Sequence, residues 1–199
     1  MKSAQASQSR GFTLIELLVT VAVLTILIVI ALPSFFGAID RRRVVDVTEA
    51  IGKQVEQARM TAIETNRPIM MVFDTAAQCF GLTDTDNAAG CDCTETNIAE
   101  PDSCTIPFAL TLGLAADSRE LVVGRAEQFP GVTMAVVPTT NLRFDPQRGI
   151  RIDGGDPLAT IELTTARGLE AHVMVNIIGR VSTCSPAGAS NVSVMKTCP

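Results

Sequence analysis

Glu16 is the residue whose position asks for chemistry. It lies four residues into an apolar run, Phe12 to Leu32, that reads FTLIELLVTVAVLTILIVIAL. A carboxylate in such surroundings is costly unless an opposite charge meets it. The natural partner is an α-amine on Phe12, which exists only if the backbone is cut between Gly11 and Phe12. A paired ammonium and carboxylate are tolerable where a lone carboxylate is not. These residues point to proteolytic processing followed by a charge pair used in assembly.

The other chemistry-bearing types are six cysteines: Cys79, Cys91, Cys93, Cys104, Cys184 and Cys198. An even count behind an export signal reads as disulfides. Neighbourhood pairs Cys184 with Cys198, closing a loop of about 15 residues and stabilising the tail by roughly 3 kcal/mol in the chain-entropy model. The four cysteines between 79 and 104 are expected to form two bridges of open connectivity. The rival reading is a four-cysteine zinc site, but Cys91-Asp92-Cys93 lacks the C-x-x-C spacing of common structural sites.

Catalysis finds little support. The single histidine, His172, falls in a predicted strand, and there is no G-x-S-x-G, H-E-x-x-H or phosphate loop. The protein is expected not to be an enzyme, with no cofactor and no metal. The loop bearing Asp84, Asp86, Asn87 and Asp92 hints at calcium, but Ala88 and Ala89 stand where an EF-hand needs an oxygen donor and a glycine. Trp and Tyr are absent, which removes the best stacking platforms for single-stranded nucleic acid.

These residues must be positioned by a few elements. The run from Phe12 to Leu32 makes a helix of roughly 31 Å, about the thickness of a bilayer core. Thr20 and Thr25 can bond back to helix carbonyls and so do not break it. Lys2 and Arg10 precede the run, which places the N-terminus on the cytoplasmic side. An ordinary secretory signal fits poorly, because Glu16 interrupts the apolar region and no A-x-A site follows Leu32. A plain signal anchor would explain the length and the flanking charge but not Glu16.

Beyond Pro33 the helical pattern resumes, with Val44, Val47, Ile51, Val55, Ala58 and Ala62 in one apolar stripe and Asp46, Glu49, Lys53, Glu56, Arg59 and Glu64 on wetter faces. The helix is expected to end near Asn66-Arg67, ahead of Pro68, and to bend near Pro33 and Gly37. Strands are predicted at 69–73, 79–83, 132–137, 142–144, 149–152, 160–164 and 171–178, with a polar loop from Asp84 to Ser103. Turns fall at Pro130-Gly131, Asp145-Pro146, Asp153-Gly154-Gly155 and Arg167-Gly168. One long helix followed by short strands and tight turns predicts an α+β fold with antiparallel sheet.

Charge narrows the partners. The whole chain has 16 basic and 21 acidic residues; without Lys2 and Arg10 the balance is 14 − 21 = −7. From Val44 onward there are 11 basic and 19 acidic residues, a net of −8, while Arg41, Arg42 and Arg43 sit just past the apolar helix. An acidic domain is a poor general binder of phosphate backbones.

The segment Gly11-Phe12-Thr13-Leu14-Ile15-Glu16-Leu17 resembles the class III signal of type IV pilins and type II secretion pseudopilins, and Pro33 matches a helix-bending proline of that family. The helix end from Gln57 through Ala58-Arg59 to Ile69, and Gly179-Arg180-Val181 followed by Cys184, resemble the GspH/FimT (FimU-like) family. The resemblance implies a pilin-like fold. It also implies cleavage after Gly11 by a prepilin peptidase, N-methylation of Phe12, and Glu16 neutralising the Phe12 amine of a neighbouring subunit. Residues 1–11 would be the leader, 12–32 the transmembrane and filament-core helix, 33–66 its amphipathic half, and 67–199 a disulfide-braced β-rich domain. The implied protein is a minor pilin with a single inner-membrane pass and a periplasmic domain. It would help prime pilus assembly with other minor pilins and the major pilin, in support of twitching motility and adhesion.

Two alternatives share these residues. One is a pseudopilin of a type II secretion system. The other is a DNA-binding minor pilin of natural transformation, whose tail motif is similar to G-R-x-R. Here Gly179-Arg180-Val181-Ser182 lacks the second arginine, so Arg180 is read first as a surface or interface residue.

Overall fold

The computed structural model describes residues 12–84, 90–107, 119–137, 141–154, 156–188 and 190–199. The leader with Gly11, the loop residues Asp86, Asn87, Ala88 and Ala89, and Gly155 lie outside them. The chain divides into two units, residues 1–39 and Asp40–Pro199, and helix α1 (Leu14–Thr65) contributes to both.

In the first unit α1 is apolar on every face. Leu14, Ile15, Leu17, Leu18, Val21, Leu24, Leu27 and Ile30 are all more than half exposed, and this stretch is long and apolar enough to cross a membrane. Thr20 and Thr25 donate their hydroxyls to the carbonyls of Leu17 and Val21, each at 2.8 Å, as their types suggest. Neither hydroxyl therefore needs water inside an apolar medium. α1 continues through Pro33 and Gly37 with no break in its assignment.

In the second unit α1 is amphipathic. Val44, Val47, Ile51, Val55, Ala58 and Ala62 are each buried, the same stripe that their three- and four-residue spacing predicts. They join one core with residues of two antiparallel sheets. The helix ends at Thr65; Asn66 adopts a left-handed φ of 51°, which asparagine tolerates, and Pro68 follows two residues later.

The strands are β1 (Ile69–Asp74), β2 (Cys79–Thr83), β3 (Thr105–Pro107), β4 (Arg119–Leu121), β5 (Val123–Arg125), β6 (Val132–Val137), β7 (Leu142–Phe144), β8 (Leu158–Thr165), β9 (Glu170–Asn176) and β10 (Val181–Cys184). One sheet has the order β5-β2-β1-β7, a second the order β10-β9-β8-β6, and β3 and β4 form a separate ribbon. Among the described residues the ladders between these strands are antiparallel, as in Met71 opposite Leu82 and Ile161 opposite Val173. β6, β8 and β9 alternate buried and open positions, the period of a sheet covered on one face.

The α+β class and the antiparallel pairing agree with the sequence reading. Four strands depart from it. β3, β4 and β5 have three residues each, and β10 has only one buried position among its four, so none carries a readable alternation. The predicted strand at 149–152 is instead irregular backbone that follows a turn at 146–148. Gly149 takes a φ of 61°, and pairing there reduces to one bridge between Phe144 and Arg151. The last long strand ends at Asn176, and Ile177-Ile178 belongs to the turn beyond it.

Candidate functional site

The first turn of α1 gives Glu16 a local role that its type and spacing also encode. Thr13 immediately precedes the helix, and its Oγ1 accepts the backbone N–H of Glu16 at 3.3 Å. Thr13-x-x-Glu16 is thus an N-cap with its acid at the third helical position, the capping-box spacing. A carboxylate in that turn also meets the positive end of the helix dipole. Phe12 is 80% exposed just before the cap. An amine there would stand beside the same helix end as the Glu16 carboxylate.

The two sequence pieces around Arg59 and Arg180 meet in space. Arg59 donates its Nε to the carbonyl of Gly149 at 3.0 Å. Gly149 and Gly179 both have positive φ, and a Cβ on Gly179 would lie 2.6 Å from the Gly149 oxygen and 3.1 Å from the Arg59 side chain. Glycine is required at this crossing because two backbones and one guanidinium stem fill it. Arg180 is exposed, with its backbone N–H held by Asn176 Oδ1 at 2.9 Å. It borders a cleft of about 330 Å³ lined also by Glu56, Arg59, Met60 and Val181.

All six cysteines are bridged: Cys79 to Cys93, Cys91 to Cys104, and Cys184 to Cys198. The structure therefore supplies the connectivity that spacing left open, and the thiolates a zinc site would need are spent. The first two bridges overlap in sequence and pin the loop after β2 onto β2 and β3. Arg125 at the end of β5 completes the clamp, donating Nε to the carbonyl of Cys93 at 3.1 Å and Nη2 to that of Glu95 at 2.7 Å.

Comparison with known proteins bears on the N-terminus. Residues 6–32 match the family model described as the prokaryotic N-terminal methylation motif. The chain is type IV pilin-like at its N-terminus. No curated protein matches the sequence. Among solved structures, the fold is similar to the type IV minor pilin FimU of Pseudomonas aeruginosa (strain PAO1) in two crystal forms. In space group P21 the identity is 12% and the TM-score 0.42, covering 71% of this chain and 88% of that one. In space group P65 the identity is 11% and the TM-score 0.42, covering 72% and 97%.

The domain behind this pilin-like N-terminus holds an ion cluster that sequence reasoning missed. Asp84, at the exit of β2, has a side chain only 6% exposed and is gripped by Arg119 of β4 and, at 3.1 Å, by Arg67 after α1. Arg119 also donates to Thr105 of β3 through its hydroxyl at 2.9 Å and its carbonyl at 3.0 Å. Burial by itself raises the Asp84 carboxyl, but the hydrogen bonds and charges of Arg119 and Arg67 outweigh it and hold the group below its ordinary 3.8. A depressed folded pKa means stability that is present above 3.8 and lost as pH falls through the lower folded value. Asp84→Asn is expected to lower the unfolding free energy by about 1–2 kcal/mol at pH 7, the low end for charged hydrogen bonds because both arginines reach water. Urea titrations of the full chain in detergent at pH 7 and pH 3 check this; the difference should shrink at pH 3. Three residues far apart in sequence make the cluster, so no local pattern announces it.

His172 lies in the middle of β9, with Nδ1 3.7 Å from Cys198 Sγ. Together with Cys184 and Cys198 it forms a group with metal-ligating atoms within 4.8 Å of one another. Both sulfurs are tied in the bridge, so neither acts as a nucleophile or as a thiolate ligand.

Proposed function

We propose that this chain is a minor type IV pilin: a membrane-anchored prepilin, cut between Gly11 and Phe12 and methylated on Phe12, that enters a filament through its N-terminal helix. The observation that carries the reading is the methylation motif at residues 6–32 coinciding with a helix whose first half is apolar and exposed on all sides. Large exposed apolar surface needs lipid or protein around it. A filament core of neighbouring helices supplies the second once the subunit leaves the first. Glu16 then finds its cation in the Phe12 amine of a neighbour.

Placing the domain in the periplasm rests on two features. One is the pair Lys2 and Arg10 before the span, although Arg41, Arg42 and Arg43 beyond it outnumber them; the other, which decides it, is the three bridges, which need an oxidising compartment. The function is one of packing: the helix joins the core, and the disulfide-braced sheets meet other minor pilins and the major pilin. Priming of pilus assembly, and with it twitching and adhesion, follows from that place in the filament. Co-purification with sheared surface filaments would separate a pilus subunit from a secretion pseudopilin.

The deciding measurement is intact mass with N-terminal sequencing of the protein taken from its native membrane. A chain beginning at N-methyl-Phe12 is expected. A chain still beginning at Met1 in a host with active prepilin peptidase would overturn the reading and leave a plain signal anchor.

A further inference from the structure

Arg41, Arg42 and Arg43 run against the usual charge bias. Basic residues within about 15–20 positions of a membrane span collect on the cytoplasmic side, yet here three follow the span and two, Lys2 and Arg10, precede it. The disulfides assign the domain, and these arginines with it, to the exported side. The anomaly calls for a use of the charge on that side.

The fold adds to the cluster what the sequence does not show. Asp40 Oδ2 accepts from Arg167 Nε, in the turn between β8 and β9, at 3.1 Å, while Asp40 Oδ1 pairs with Arg43 Nη1 at 3.8 Å. A residue 127 positions away is thereby brought beside the arginine triplet. Arg43 and Arg167 keep about half their side-chain surface open (47% and 48%) although each holds Asp40. Arg41 and Arg42 are also exposed. Consecutive residues point to different sides of a helix, so the three arginines ring α1 at the start of the second unit, with Arg167 joined to Arg43 through Asp40, on a domain whose remaining residues are strongly acidic.

Position decides the partner. Arg41 lies nine positions beyond Leu32, about 14 Å along a helix at 1.5 Å per residue. The headgroup layer extends several ångströms beyond the hydrocarbon core, and the Debye length is about 8 Å at physiological ionic strength. An arginine side chain anchored there reaches headgroup phosphates, and its planar fork suits them.

We propose that Arg41, Arg42, Arg43 and Arg167 form a docking face for anionic phospholipid headgroups, holding the domain against the outer surface of the membrane before the subunit is extracted. The attraction is released when the helix leaves the bilayer, so it acts as a brake on extraction rather than as a filament contact. The inference rests on the membrane-anchored reading above.

The test is native mass spectrometry of the detergent-solubilised full chain with phosphatidylglycerol and phosphatidylcholine offered together. Wild type should retain phosphatidylglycerol in preference. Each basic residue near an anionic surface contributes about 1 kcal/mol, roughly fivefold, so Arg41→Gln/Arg42→Gln/Arg43→Gln should reduce that preference at least about tenfold. The triple Lys variant should keep most of it, and Arg180→Gln, an exposed arginine elsewhere on the domain, should keep all of it. Equal retention by wild type and the triple Gln variant overturns the proposal. So does loss of cross-links to a neighbouring subunit in that variant with lipid retention unchanged, which would assign the face to an acidic protein partner. Failure of the underlying reading looks different: the chain would be released from native membranes by carbonate extraction, whatever its lipid preference.

Discussion

Glu16→Gln is expected to leave the chain cut, membrane-inserted and folded while lowering its share in assembled filaments by about tenfold or more. The substitution separates two roles. The capping bond runs from the Glu16 backbone N–H to Thr13 Oγ1, so it survives any side chain at this position, and glutamine is itself acceptable at the third residue of a capping box. What glutamine removes is the negative charge. If that charge meets the Phe12 amine of a neighbour inside an apolar core, the amine is left unpaired, and a charged hydrogen bond of about 1.5–3 kcal/mol is lost. A difference of 1.4 kcal/mol is already tenfold in an equilibrium. The readout is the ratio of protein in sheared filaments to protein in the membrane fraction, with Glu16→Asp restoring part of it. Filament entry unchanged in Glu16→Gln would reduce Glu16 to a helix-capping residue.

Removing the Cys79–Cys93 bridge as a pair, Cys79→Ala with Cys93→Ala, is expected to lower the unfolding free energy by about 3 kcal/mol. Its sequence separation of 14 closes a loop for which the chain-entropy model gives that value. The bridges are also packed as well as linked. Cys79, Cys93 and Cys104 are 1% exposed or less, and a Cβ on Gly81 would lie 2.4 Å from Cys104 Sγ, so the sulfurs sit directly on the β2 backbone. Removing both bridges of this loop should cost less than the sum of the two single losses, because they close overlapping segments. Against the 5–15 kcal/mol typical of a domain, one bridge is a large share. Denaturant midpoints of the full chain in detergent check this. A shift near zero would mean that the Arg125 hydrogen bonds to Cys93 and Glu95 hold the loop unaided.

The long helix was legible in the sequence because its signal is local. Its apolar run sets the span, the stripe from Val44 to Ala62 sets the buried face, and Pro68 sets the end; the helix observed from Leu14 to Thr65 differs by two residues from that reading. The strands at 132–137 and 142–144 were equally plain, the longer of them because alternation along six residues needs no knowledge of a partner. The short strands were not. A three-residue strand such as Val123–Arg125 exists because β2 lies beside it, with Phe80 opposite Gly124. Residues 149–152 read as a strand but keep only the bridge at Arg151, because Gly149 leaves the preceding turn at a positive φ where the Arg59 side chain and Gly179 approach its backbone.

The candidate sites divide in the same way. Gly11, Phe12, Glu16 and the arginine triplet were picked out by the sequence alone, since a methylation motif, a charge in an apolar run and a basic cluster just past that run are neighbours along the chain. The pairing of Cys79 with Cys93 and Cys91 with Cys104, the grip of Arg67 and Arg119 on Asp84, and the arrival of Arg167 at Asp40 were decided by the tertiary structure. Each joins residues from different elements, and the distance between such residues is fixed by how helix and sheets pack, which no local pattern records.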